Sequence, residues 1–218
     1  MNLDDLVARA RRLAASATPG RRRLLGIAGP PGAGKSTLAV RLAAELTGQA
    51  ALVPMDGFHL AEAELRRLGR TERKGAPDTF DPAGYVSLLA RLRAPESGTP
   101  VYAPAFDRRL EEPVAGSIPV APHIPLVITE GNYLLLHSDP WARIRELLDE
   151  VWYIELDGPE RVRRLIDRHE RFGRLRTDAE DFVRTSDEAN ARLVAATRPR
   201  ADLVVTFTDD EAPRPLDG

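Results

Sequence analysis

The sequence predicts an α/β protein: a mostly parallel sheet flanked by helices, organised around a phosphate-binding loop and completed by an irregular flap and a lid. Three observations carry this. Gly29-Pro-Pro-Gly-Ala-Gly-Lys-Ser36 fits the pattern G-x-x-x-x-G-K-[ST]. The apolar run Leu24–Ala28 precedes it, and Leu38, Ala39, Leu42, Ala43 and Leu46 follow at helical spacing, so the loop joins a buried strand to a helix. Further apolar runs at 50–55, 126–130 and 151–155 are separated by helical patterns, as parallel strands require.

The loop has a chemistry of its own. Gly29, Gly32 and Gly34 allow turns that aim successive N–H groups at an anion, and the following helix N-terminus adds its dipole. Pro30, Pro31, Ala33 and Thr37 fill out the candidate nucleotide-contacting stretch. Lys35 offers a cation to outer phosphates and Ser36 a hydroxyl to Mg²⁺, with ATP as the expected nucleotide. The chain has two lysines, Lys35 and Lys74, its other side-chain cations being arginine, so a lysine here is not compositional noise.

Composition narrows the rest. The 218 residues suit a single domain spanning 1–218, and a net charge of −2 gives no bias towards nucleic acid or membrane. With no cysteine, disulfides, thiol catalysis and Cys-based metal sites are excluded. Asp4, Asp5 and the lack of a long apolar segment argue against a signal peptide or membrane span, which makes a soluble cytoplasmic protein the expectation.

Along the chain, Leu3, Leu6, Val7, Ala10 and Leu13 predict an amphipathic helix over 3–15 within an N-terminal stretch, 1–20. The run Arg21–Arg23 reads as a solvated turn in preference to a phosphate contact. The second strand, 50–55, ends in Asp56-Gly-Phe-His59, and a carboxylate there faces the ligand crevice, suited to accept a hydroxyl proton. His59 either touches substrate or closes the turn. Residues 61–69 read as a short helix, and 73–81, with Arg73 and Lys74, as a polar irregular segment. Asp81 and Pro82 open a helix whose buried stripe is Tyr85, Leu88, Leu89 and Leu92.

The Pro-rich stretch 99–122 predicts an edge hairpin or flap over substrate. Its Tyr102, Phe106, Asp107 and Arg108 either line a pocket or pack the flap down. Leu126–Glu130 is a strand ending in an acid, the form of a carboxylate aimed at Mg²⁺ and phosphates. A helix over 140–148 and a strand over 151–155 follow. Over 158–173 a helix sets Arg161, Arg164, Arg168 and Arg171 beside an apolar face of Val162, Leu165, Ile166 and Phe172. That basic face is either solvated or, through 168–178, a lid closing on polyphosphate. A helix over 179–196, a terminal strand within 197–206 and a loose tail over 209–218 complete the chain.

These residues resemble the P-loop kinase branch that holds uridine kinase, bacterial pantothenate kinase and phosphoribulokinase, and proteins labelled nucleoside/nucleotide kinase. The resemblance spans roughly 24–206. It rests on the loop, Met55-Asp-Gly-Phe-His59, Arg73-Lys-Gly-Ala-Pro77 with Phe80-Asp81, Glu130-Gly131, and Thr197-Arg-Pro-Arg-Ala-Asp-Leu203. It implies a P-loop NTPase fold, with Asp56 as general base and Glu130 as metal-site acid with Ser36. It further implies Arg168 and Arg171 in the lid. Arg198 is a candidate nucleotide contact, and His59, Arg73, Lys74, Tyr102, Phe106 and Arg108 are the candidate acceptor contacts. The flap, Tyr102-Ala-Pro-Ala-Phe-Asp107, departs from the tighter Pro-x-Tyr-Asp of uridine kinases.

The expected activity is transfer of the γ-phosphoryl of ATP, with Mg²⁺, to a hydroxyl of a nucleoside or pantothenate-like small molecule. Neither nucleic acid nor membrane is an expected partner, and a homodimer is left open. The rival is an ATPase switch with a protein partner. A guanine-reading Asn/Thr-Lys-x-Asp string is absent from the sequence.

Overall fold

The computed structural model describes residues 1–95 and 98–207, so the tail 209–218 lies outside the described residues. The chain begins with α1 (Leu3–Ala15), started by a capping box in which the Asn2 side chain accepts from the Asp5 amide and Asp5 answers to the Asn2 amide. Strand β1 (Arg23–Ala28) leads through the glycine loop into α2 (Lys35–Glu45). Then come β2 (Ala50–Leu52), α3 (Glu62–Leu68) and α4 (Pro82–Arg93), the last capped by the Asp81 carboxylate on the Gly84 amide. Strands β3 (Val101–Asp107) and β4 (Glu112–Val120) form a hairpin. Next are β5 (Leu126–Glu130), α5 (Ala142–Leu147), β6 (Glu150–Glu155) and α6 (Gly158–Arg171). Helices α7 (Arg176–Phe182) and α8 (Glu188–Ala195) precede β7 (Leu203–Thr206).

Five strands form one parallel sheet in the order β2-β5-β1-β6-β7. Alternation along each strand divides the apolar side chains between two faces. Leu25, Ile27, Ile128, Trp152 and Ile154 meet α1 and α2 through Leu6, Ala10, Leu38 and Leu42. Leu24, Val127, Val151 and Tyr153 meet α4, α5 and α8 through Leu88, Leu89, Ile144 and Val194. Both faces are covered, which is why β1, β5 and β6 read as near-continuous apolar runs. The carboxyl ends of β1 and β5 thereby deliver the loop and Glu130 to one rim.

Several elements depart from the sequence reading. The second strand stops at Leu52, although the Val53 amide still donates to Ile128 O at 2.8 Å. Pro54 has no donor to continue the ladder, and the chain turns into a 3₁₀ turn, Met55–Phe58, that carries Asp56. Segment 73–81 includes a second 3₁₀ turn, Pro77–Thr79, and Tyr133 Oη pins it by donating to Gly75 O. The expected 179–196 helix starts at Arg176 and passes through a π turn, Val183–Asp187. Arg22 is not a solvated turn residue. It is buried, and its guanidinium donates to Ile124 O, Leu92 O and Ala121 O at 2.9, 3.1 and 2.8 Å.

The stretch expected as a flap, 99–122, is an antiparallel two-stranded sheet separate from the main one, with a register shift between Ala103 and Ala105. It presses on the Met55–Phe58 turn. A Cβ on Gly57 would lie 2.4 Å from Pro104 O, so only glycine admits the hairpin this close.

Candidate active site

The glycine loop is braced from below by α6. Gly32 has φ +80°, and a Cβ there would lie 2.9 Å from Arg161 O and 2.8 Å from Leu165 Cγ. Arg161, expected on a lid or solvated face, is instead buried. Its Nη1 donates to Pro31 O at 3.3 Å and its Nη2 pairs with Glu188 at the start of α8. Pro30, Pro31 and Ala33 are buried in the loop, and Thr37 is half-buried on α2.

Lys35 is only 7 % exposed, and its Nζ donates to Pro30 O at 2.9 Å. Burial pushes the ammonium down to about 8, against the attraction of Glu130 and Asp56, while Arg168 and Arg161 push the same way as burial. Ser36 Oγ donates to Glu130 Oε1 at 2.9 Å. Burial, then the Asp56 charge, raises the Glu130 carboxyl, with Lys35 and the Ser36 hydrogen bond opposing. A hydroxyl and a buried carboxylate this close are hard oxygen donors of the kind Mg²⁺ takes alongside phosphate and water. Among the described residues no cluster of three or more His, Cys, Asp or Glu is built to hold a metal by itself.

Asp56 projects from its 3₁₀ turn towards the same space, since its charge acts on Lys35, Glu130 and Arg168. Arg108, at the end of β3, stands opposite it with Nη2 3.8 Å from Asp56 Oδ2. The His59 Nδ1–H donates to Asp56 O at 2.8 Å, closing the turn, and fixes the tautomer that leaves Nε2 as an acceptor. Its ring lies 4.0 Å from that of Phe80 and 4.8 Å from that of Phe106, and burial lowers its pKa, so the imidazole is neutral at pH 7. Lys74 Nζ donates to Glu111 O at 2.8 Å and sits 5.3 Å from the Phe106 ring centroid.

The basic residues of α6 divide. The Arg168 guanidinium makes no hydrogen bond or ion pair among the described residues. Burial lowers its pKa, and the charges of Asp187, Arg108, Asp56 and Glu130 all act on it. It therefore faces the loop and Asp56. Arg171 is exposed at the last position of α6, and Phe172, expected on the apolar face, is 54 % exposed. Phe172 meets Arg108 with its ring 5.6 Å from the guanidinium, so the α6–α7 corner and the hairpin end touch above Asp56.

Three further expected residues have other partners or lie exposed. Arg198 is held by both carboxylate oxygens of Glu155, at 3.0 and 3.2 Å. Arg73 is paired with Asp78, Nη1 to Oδ1 at 2.8 Å and Nη2 to Oδ2 at 2.6 Å. Tyr102 is 56 % exposed on β3 opposite Pro119. Sequence reasoning missed Asp187 and Glu188 as site supports. Asp187 accepts from His169 Nε2 at 2.9 Å beside Arg168, and the π turn that places it has no signature in the local pattern.

No family model matches the chain. A Schizosaccharomyces pombe protein named provisionally as a uridine kinase is 36% identical over 195 residues, 84% of this chain and 83% of its own. An Aspergillus versicolor protein named ATP-dependent kinase-like is 33% identical over 152 residues, 66% of this chain and 88% of its own. A crystal structure of a Silicibacter sp. TM1040 protein, named provisionally as a fructose transport system kinase, superposes with a TM-score of 0.84 at 36% identity. That match covers 94% of this chain and 99% of the other. Among the described residues no helix is long and apolar enough to cross a membrane.

Proposed function

This chain belongs to the family of uridine-kinase-like P-loop kinases, and we propose that it transfers the γ-phosphoryl group of ATP to a hydroxyl of a small metabolite. One observation carries the proposal: Asp56, a carboxylate on the 3₁₀ turn that follows β2, shares its space with Lys35, Glu130 and Arg168 beneath a hairpin. A group able to take a proton from an acceptor thus stands beside a phosphate-binding loop.

The residues divide the work by position and charge. Loop amides and Lys35 bind the phosphates, the ammonium leaving Pro30 O for the stronger anionic partner. Ser36 and Glu130 would hold Mg²⁺, which when bound would neutralise charge on the phosphate oxygens. Asp56 accepts the hydroxyl proton as the acceptor oxygen bonds to the γ-phosphorus. The bond from that phosphorus to the bridging oxygen breaks, and ADP leaves. Arg168 balances charge on the transferring group, and the α6–α7 corner acts as a lid with the 99–122 hairpin as its opposing flap.

An ADP-release screen over nucleosides, pantothenate, sugars and sugar phosphates with Mg²⁺-ATP tests this. The expected result is ADP formation that requires one acceptor class. ATP turnover indifferent to every acceptor and stimulated by a protein partner would overturn it.

A further inference from the structure

The hairpin and the 73–81 segment each bring a cation onto an aromatic ring, Arg108 onto Phe172 and Lys74 onto Phe106. Arg108, from the hairpin, makes no hydrogen bond among the described residues, only the 3.8 Å approach to Asp56 and the ring contact with Phe172. Lys74, from the 73–81 segment, lies over Phe106 and spends one of its three N–H groups on the Glu111 carbonyl. Both charges act on His59, whose ring packs between Phe80 and Phe106.

Neighbouring carboxylates do not answer these cations closely. Asp78 is taken by Arg73, and Glu112 accepts from the Glu62 amide with both oxygens at 3.1 Å. The Glu111 carboxylate is 3.9 Å from Lys74 and 60 % exposed, a solvent-screened contact worth little. Asp56 and Glu130 belong to the phosphoryl-transfer side, where Lys35 and Arg168 already face them.

We infer that the acceptor is an anion, a small molecule bearing a carboxylate or phosphate that Lys74 and Arg108 bind beside Phe106 and His59 while its hydroxyl lies at Asp56. This rests on the kinase reading above and adds the charge of the substrate to it. A neutral acceptor would cover two cations whose carboxylate contacts are long, 3.8 Å for Arg108 and 3.9 Å for Lys74, and desolvating so weakly paired a charge is unfavourable. An anion turns the same two groups into charge-assisted hydrogen-bond donors, and Arg108 offers a planar fork suited to a carboxylate or phosphate. A site of this kind rejects the uncharged analogue because its own groups are then left unpaired.

The test compares matched pairs that differ in the charge: D-glycerate with glycerol, pantothenate with pantothenol, and ribose 5-phosphate with ribose. ADP release from Mg²⁺-ATP by the full chain is measured for each. The charged member of at least one pair should be used with kcat/KM roughly tenfold to a hundredfold above its neutral partner, as one or two charge-assisted bonds give. The carboxylate and phosphate arms identify which anion is meant. Lys74→Gln and Arg108→Gln, each checked by thermal melting, should remove most of that preference through KM for the acceptor, and Lys74→Arg should restore part of it. Equal or better use of the neutral members, or a preference that survives both substitutions, would overturn the anionic acceptor and leave the kinase reading standing. ADP release independent of every pair member would overturn both.

Discussion

Lys35 should make nucleotide binding depend on pH in a window where ATP itself no longer titrates. Its unliganded ammonium titrates at about 8, lowered from 10.5 mainly by burial. Phosphates favour the charged form, so binding takes up the missing proton. With a midpoint of about 8, roughly a tenth of Lys35 is neutral at pH 7 and roughly nine-tenths at pH 9. ATP affinity should therefore fall about tenfold per pH unit above 9 and stay nearly flat below 7.5, by the linkage of proton and ligand. Calorimetry in two buffers of different ionisation enthalpy should find about 0.9 proton taken up per ATP at pH 9 and about 0.1 at pH 7. Lys35→Arg, always charged, should abolish the uptake. The same shift acts on unliganded stability. Because the folded pKa is depressed, the unfolded chain binds more protons between pH 8 and 10.5, so stability rises with pH across that window, by about 3 kcal/mol from this group. Uptake near zero at pH 9 with a flat affinity would refute the reasoning.

Three substitutions probe the supports. Arg161→Met leaves Glu188 and Pro31 O without their donor and should cost about 2–4 kcal/mol in chemical denaturation while raising KM for ATP; an unchanged KM would mean the brace does not set the loop. Arg22→Met strands two buried carbonyls and a half-buried one and should cost about 2–4 kcal/mol in the same assay, with kinetics per folded molecule unaltered. Gly57→Ala pushes a methyl group against Pro104 O, so the hairpin must retreat; about 1–3 kcal/mol should be lost in thermal melts, with a larger fractional loss of kcat/KM for the acceptor.

What the sequence made legible was local. The glycine loop, Asp56 after the second strand and Glu130 at the end of an apolar run are each fixed by neighbours within a few residues, and the parallel sheet brings them to one rim. Arg22 and Arg161 were misread because their partners lie far along the chain. The Arg22 acceptors are 70 to 102 residues away, and Pro31 is 130 residues from Arg161. An arginine run or stripe reads as solvated surface until tertiary contacts supply carbonyls. Helical periodicity placed Arg168 and Arg171 on one face of α6, yet Arg168 turns towards the charges of the cleft while Arg171, the last residue of the helix, is exposed. The π turn shifts α8 relative to α7, and that shift, which seats Asp187 and Glu188, is invisible to a 3.6-residue pattern.

Whether the γ-phosphoryl group passes to an organic hydroxyl with Asp56 as the proton acceptor can be measured directly. ATP labelled in its γ-phosphate is incubated with the wild-type chain and with Asp56→Asn, each with the acceptor found by ADP release, and the label is traced into phosphate ester or inorganic phosphate. The account predicts ester from the wild type. It predicts ester formation slowed by about 10² to 10⁴ in Asp56→Asn, with ATP affinity little changed, because the amide keeps the shape and cannot take the proton. Label appearing only as inorganic phosphate, or an Asp56→Asn protein that forms ester at the wild-type rate, would contradict it.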